Sequence, residues 1–224
     1  MVDISANIST LLEQIPPSVK LVAVSKTKPV SDILEAYNAG QRCFGENRVQ
    51  ELLFKKDNLP SDIEWHLIGH LQSNKVKSIV PFIAMIQSVD SYKLLETINN
   101  EASKVNRKID CLLQIHIAEE ETKFGFGLEE ITGFLDKNKS QELKFVRVCG
   151  VMGIATFTSD NNRVQGEFRM LKECFNTLKN SYFVRSPHFK EISMGMSSDY
   201  EIAITEGSTI VRIGSHIFGE RLPV

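Results

Sequence analysis

Leu21-Val22-Ala23-Val24-Ser25-Lys26 and Val211-Arg212-Ile213-Gly214-Ser215, one near each end of the chain, decide the fold between them. Each is a short apolar run that gives way to polar or small residues, as a buried parallel strand does where it enters a loop. Working inward from the two, further strand-like runs appear at 42–46, 63–69, 83–89, 109–117, 145–154 and 190–196, so that with 21–26 and 209–214 there are eight. The gaps between them carry apolar residues at helical spacing. Val30, Ile33, Leu34 and Tyr37 follow the first strand, Leu94, Leu95, Ile98, Ala102 and Val105 the fourth, and Val164, Phe168, Leu171, Phe175 and Leu178 the sixth. A further helix, near Ile8, Leu11 and Leu12, precedes the first strand.

Strand followed by helix, repeated eight times, implies parallel strands joined by right-handed crossovers, and its closed form is the (β/α)8 TIM barrel of the α/β class. A doubly wound open sheet is the alternative. The strand count weakens it, as does the lack of G-x-G-x-x-G after the first strand and of G-x-x-x-x-G-K-[ST] anywhere; Gly125-Phe126-Gly127 lacks the third glycine. The eighth unit ends near Gly219, so 1–224 is expected to be one domain with a leading N-terminal helix.

The 224 residues have a formal net charge of −2, with acidic and basic residues mixed throughout. No basic stripe suited to nucleic acid or anionic lipid is present. The N-terminus lacks the basic and apolar regions of a signal peptide, and no apolar run is long enough to span a bilayer, so a cytoplasmic location is expected. The four cysteines are widely spaced with no C-x-x-C pair, and are expected to be reduced, packed thiols. His66 and His70 are four apart but fall on a strand and a loop, so no metal site is expected from them. Glu119-Glu120-Glu121 reads as a solvated loop.

In a closed barrel the first strand lies beside the last, and the functional face is the C-terminal end of the strands, with phosphate often held after strands seven and eight. Alternation points Val22, Val24 and Lys26 inward from the first strand and Arg212 inward from the eighth. Ser197, in Ser193-Met194-Gly195-Met196-Ser197-Ser198-Asp199, and the backbone N–H groups of Gly214 and Ser215 suit a phosphate, because small residues let the chain approach an anion and hydroxyls donate to it. Desolvation and a nearby Arg212 would favour the neutral amine of Lys26, the form that attacks an aldehyde. Amine and phosphate cradle together suit a phosphorylated aldehyde held as a Schiff base. Lys75 is placed at the rim toward solvent or an anion, and Asn47 either hydrogen-bonds a ring substituent or serves as a turn residue.

With these residues, Ala23-Val24-Ser25-Lys26-Thr27-Lys28-Pro29, Phe44-Gly45-Glu46-Asn47, Trp65-His66-Leu67-Ile68-Gly69 and Leu71-Gln72-Ser73-Asn74-Lys75 make the chain resemble, nearly end to end, the family of pyridoxal phosphate homeostasis proteins. That family resembles the barrel domain of alanine racemase standing alone. The resemblance implies that pyridoxal 5′-phosphate is bound covalently to Lys26, with its phosphate near Ser197, Gly214 and Ser215, Arg212 facing the pyridine nitrogen and Asn47 nearby. It gives no catalytic role to His70 or His216, which stand where other members vary. A cation at the pyridine nitrogen makes the cofactor a weak electron sink, and the tyrosine that alanine racemase draws from another domain has no counterpart after the barrel. The expectation is therefore a monomeric carrier or buffer in vitamin B6 homeostasis with little or no racemase turnover. It would give the cofactor up to amines or, through transient contacts, to apoenzymes that depend on it. A single-domain amino-acid racemase and a Schiff-base aldolase are the alternatives.

Overall fold

The computed structural model describes residues 2–120, 124–137 and 143–220. Eight parallel strands close into a barrel in chain order: β1 (Lys20–Val24), β2 (Cys43–Glu46), β3 (Glu64–Leu67), β4 (Met85–Val89), β5 (Ile109–Gln114), β6 (Val146–Met152), β7 (Glu191–Ser193) and β8 (Ile210–Ile213). The ring of helices is α1 (Ile4–Gln14) ahead of β1, α2 (Val30–Asn38), α3 (Val49–Asn58), α4 (Val76–Ile79), α5 (Tyr92–Lys104), α6 (Leu128–Lys137), α7 (Asn161–Ser181), α8 (Tyr200–Thr205) and α9 (Ser215–Phe218). The fold is the (β/α)8 barrel that the alternation of strand and helix periods predicts. None of the described helices is long and apolar enough to cross a membrane.

Closure rests on β8 pairing with β1, which sets Val22 beside Arg212 and Ala23 beside Ile213. Residues paired across a ladder share a face, so Val22 and Arg212 both point inward. Val22, Cys43, Met85, Leu112, Cys149, Met152 and Ile210 fill one part of the barrel interior. Leu21, Ala23, Val211 and Ile213 point outward into a layer shared with Ile33, Leu52 and Ile217 of the helices. A second outer cluster joins Leu113, Val151 and Ile192 to Val164, Phe168 and Leu171 of α7. One-residue alternation thus divides an interior core from a helix-facing one, and every strand is buried on both faces.

The strands are shorter than their apolar runs at the C-terminal end. The run 21–26 is paired as β1 only to Val24, and 190–196 only as Glu191–Ser193. Ser25 still donates its backbone N–H to Gly45 (3.1 Å), but Lys26 lies two residues past the strand, on the β1–α2 loop. Parallel barrels place chemistry in these loops, where chain freed from the ladder can present side chains upward. α1 begins with Asp3 accepting from the Ala6 N–H (2.9 Å) and packs across α2 and α9, where Asn7 donates to the Ile217 carbonyl (3.0 Å).

Candidate functional site

The β7–α8 and β8–α9 turns meet directly. The Gly214 N–H donates to Ser197 Oγ at 3.2 Å, so two of the groups assigned to an anion on sequence grounds are already in contact. A Cβ on Gly214 would lie 3.1 Å from the Val24 carbonyl oxygen, which brings this turn against the end of β1 and the loop that carries Lys26. Ser215 begins α9 and is exposed. The Ser197 turn is tied down from below. Arg212 donates its backbone N–H to the Gly195 carbonyl (3.0 Å), and Met196 donates its own to Asp199 Oδ1 (2.6 Å). Gly195 has a φ of 94°, and a Cβ there would stand 2.6 Å from that of Ala203, so the turn needs glycine on both counts.

Arg212 is 4% exposed. Its guanidinium donates to Ser193 Oγ (2.7 Å) and to the Gly153 carbonyl (2.9 Å). Ser193 Oγ in turn donates to Gln87 Oε1 (2.6 Å), and Gln87 Nε2 lies 2.8 Å from Nδ1 of His66. A polar chain therefore crosses the barrel interior from β8 to β3. Burial pushes Arg212 down to about 10, against the pull of Asp199, and pushes His66 down to about 3. At neutral pH the arginine is charged and the imidazole neutral. His66 accepts at Nδ1, which places its ring proton on Nε2.

Lys26 is half-buried at the rim, followed by Thr27 at φ 65°, a left-handed conformation that a β-branched residue rarely adopts. The Thr27 N–H donates to Glu51 Oε1 (2.6 Å). Beneath this turn Lys55, on α3, is buried and donates to the Ser25 carbonyl (2.7 Å), Glu46 Oε1 (2.7 Å) and Glu51 Oε1 (2.6 Å). Glu46 also accepts from Ser25 Oγ (2.6 Å), while its Oε2 is buried without a partner. Burial raises the Glu46 carboxyl above its ordinary range, and the Lys55 and Ser25 hydrogen bonds oppose that rise. Lys28 turns away to the far end of the chain, where its ammonium donates to the carbonyls of Phe218 (2.7 Å), Gly219 (3.1 Å) and Glu220 (3.4 Å) at the end of α9.

Asn47 follows β2 and is half-buried, and Gly69 is pressed against its backbone. Lys26, Asn47, Ser197, Arg212, Gly214 and Ser215 thus lie on β1, β2, β7 and β8 or on the loops that follow them, a contiguous arc at the C-terminal end of the barrel. Lys75 closes a 3-10 turn ahead of α4. His70 pairs through Nδ1 with Asp90 (2.7 Å) and stacks on Phe124 at 4.0 Å, and His216 meets Tyr200 edge-on.

Several features escape sequence reasoning. Glu51 and Lys55 look like a solvated i,i+4 pair, and nothing local announces that Lys55 is buried. Glu119 pairs with Arg163 (3.0 Å), and Glu120 accepts from the Phe157 N–H (3.4 Å), so the acidic run ties loops together; Glu121 lies outside the described residues. Spacing singles out His66 with His70. The fold sets His66 with Cys43 and Glu64 instead, their ligand-type atoms within 4.8 Å of one another. The ammonium of Lys20 already lies 3.0 Å from Glu64, and burial pushes the Cys43 thiol up to about 12.

The alanine racemase N-terminal domain family matches residues 2–222. A pyridoxal phosphate homeostasis protein of Aquifex aeolicus is 43% identical over 203 residues, covering 90% of this chain and 87% of its own. The chain belongs to this family. The human pyridoxal phosphate homeostasis protein is 40% identical over 214 residues, covering 90% of this chain and 76% of its own. Among solved structures, PipY of Synechococcus elongatus, determined with PLP bound, superposes with a TM-score of 0.87 at 36% identity, over 96% of this chain and 100% of that one.

Proposed function

We propose that this protein binds pyridoxal 5′-phosphate through Lys26 and acts as a carrier or buffer in cellular vitamin B6 homeostasis. The observation that carries the proposal is the junction of the Ser197 and Gly214 turns beside the end of β1, within one arc with Lys26. When bound, the cofactor supplies an aldehyde that condenses reversibly with an amine. The protein's own groups divide the work of holding it. Ser197 Oγ and the Gly214 and Ser215 N–H groups receive the phosphate, Arg212 offers a buried cation to the pyridine ring, and Asn47 lies to its side. The donor set fits a dianionic phosphate, since a hydroxyl and backbone N–H groups meet where glycine leaves room for close approach.

Neither lysine neighbour competes for the aldehyde. Lys28 and Lys55 each have three donor contacts, and an ammonium so engaged offers no lone pair. The family membership and the relatives' names support the homeostasis role, and PipY was solved with PLP bound. The remaining parts of the proposal are a single-domain cytoplasmic monomer, transient contacts with recipient apoenzymes, and little or no racemase turnover.

The test is the visible absorption of the purified protein before and after borohydride reduction, with peptide mapping of the reduced adduct. A yellow protein whose adduct maps to Lys26 is expected. Lys26→Ala should abolish the adduct without moving it to Lys28 or Lys55, while the phosphate site keeps some affinity. A protein that stays colourless and unmodified in the presence of the cofactor refutes the proposal and favours a Schiff-base aldolase; sustained alanine or serine racemisation favours an enzyme.

A further inference from the structure

Lys55 ties together two of the loops on which the cofactor site depends. Its three donors reach the Ser25 carbonyl on the β1–α2 loop, Glu46 at the end of β2, and Glu51 on its own helix. The residues that follow the first two acceptors in the chain are Lys26 and Asn47. Glu51 Oε1 then carries the contact to the Thr27 N–H, so Lys26 is bracketed: Ser25 before it and Thr27 after it are both anchored to one buried ammonium and its carboxylate partners.

Packing alone does not call for such a cluster. Burying an ion pair costs desolvation that an apolar side chain of similar volume avoids, and here one carboxylate oxygen, Glu46 Oε2, is buried without any hydrogen bond. Thr27 adds a second cost, because a left-handed β-branched residue persists only where its surroundings hold it. The second cost falls on a residue flanking Lys26, and the first on groups that hold the other flanking residue: Ser25 is anchored by Lys55 and Glu46, Thr27 by Glu51.

We infer that Lys55 is a positioning residue for Lys26. Together with Glu46 and Glu51 it fixes the left-handed turn at Thr27 and so the place of the Lys26 amine relative to the phosphate cradle. Lys55 acts through the Ser25 carbonyl and the carboxylates of Glu46 and Glu51 rather than as a catalytic residue. The inference rests on the proposed function above, and its failure is separable from the failure of that function.

The experiment compares two ligands on apoprotein: pyridoxal 5′-phosphate, followed by visible absorption, and 4′-deoxypyridoxine 5′-phosphate, which keeps ring and phosphate but has no aldehyde, followed by calorimetry. In Lys55→Met, affinity for the aldehyde and the rate of adduct formation are expected to fall roughly tenfold or more, the scale on which misplacing a reacting group acts. Affinity for the deoxy analogue should fall by a clearly smaller factor, through the Glu46–Asn47 segment alone, because the Ser197 and Gly214 turns are untouched. Glu51→Ala, at a half-buried position, removes the Thr27 anchor but leaves the Lys55–Glu46 pair; it should move the two ligands apart in the same sense by a smaller factor, and it decides the matter alone if Lys55→Met does not fold. Equal losses for both ligands mean a purely structural role and overturn the inference, as does unchanged adduct formation in the variants. A wild-type protein that binds the analogue but forms no adduct overturns the proposed function, and the inference with it.

Discussion

Gly69→Ala isolates the mechanical link between β3 and the cofactor rim. Gly69 has an ordinary backbone conformation, so alanine there adds no torsional strain; the effect comes from space alone. A Cβ at this position would lie 2.5 Å from the Asn47 carbonyl oxygen, 2.7 Å from its Cα and 2.9 Å from its Cβ. Ordinary separations for such atoms are about 3.5 Å or more, so one backbone must retreat from the other by up to ~1 Å. Both segments are held: Ser88 Oγ donates to the Gly69 carbonyl (2.6 Å), and Ile68 donates its N–H to the Glu46 carbonyl (2.9 Å). Overpacking against fixed backbone costs about 1–3 kcal/mol. For a chain of this size each kcal/mol lowers Tm by roughly 2–4 °C, so a fall of about 2–12 °C is expected in calorimetry of the apoprotein. The displacement falls on Asn47, so affinity for pyridoxal phosphate should weaken several-fold in the same variant. Wild-type Tm with wild-type affinity would refute both the steric argument and the placement of Asn47 at the site.

Lys28→Met removes the ammonium that holds three carbonyls at the end of α9. A loss of about 1–2 kcal/mol is expected at this half-buried position, and because α9 starts at Ser215, the preference for pyridoxal phosphate over unphosphorylated pyridoxal should narrow in competition binding. All four cysteines are buried, with Cys43 pushed up to about 12 and Cys149 and Cys174 to about 11. The native protein should therefore resist a thiol reagent at neutral pH, and the protein in guanidinium should consume it at four sites. His66 titrates near 3 when folded against 6.5 when unfolded. The unfolded chain binds the extra proton between those values, so stability present above pH 6.5 is lost as pH falls, by up to ~1.4 kcal/mol per unit. Glu46 and Asp199, both raised by burial, act in the opposite sense. The test is thus the difference between wild type and His66→Asn in denaturant midpoints between about pH 4 and 6.5, where the variant should show the shallower acid loss.

Most of the barrel was legible because two periods do different work. Alternation by two separates Val22 and Arg212 from Leu21 and Val211, and the spacing of three and four in Val164–Leu178 places α7. Strand ends were not legible, because apolar residues such as Met194 remain buried after the ladder stops. Lys26 therefore lies on the loop rather than on the strand its apolar run suggests, still at the rim. The supports of the site were hidden for a different reason. Lys28 reaches Phe218 across 190 positions, and Lys55 reaches Ser25 across 30. Such contacts have no local pattern; they exist only once α3 and α9 pack around the closed barrel.

The interior polar chain bears on the proposed carrier role. Starting from Arg212 it runs through a hydroxyl, an amide and a neutral imidazole, and none of its members is a carboxylate. The acid that pulls on Arg212, Asp199, accepts from the Met196 N–H and is itself raised by burial. A pyridine ring held against this chain would face a cation with no carboxylate to pair with a ring N–H, and its nitrogen would then stay unprotonated. On the proposed function, an unprotonated ring would withdraw electrons more weakly and so slow bond breaking at an attached amino acid, while capture and release at the Lys26 amine would need no such withdrawal. Gln87→Glu would add a carboxylate to the chain beside Ser193. If the interior controls the ring in this way, that variant should shift the absorption of the bound cofactor toward the ring-protonated form while Lys26 remains the site of attachment. An unshifted spectrum in a variant that still binds would show that the chain holds Arg212 in place without setting its electrostatics.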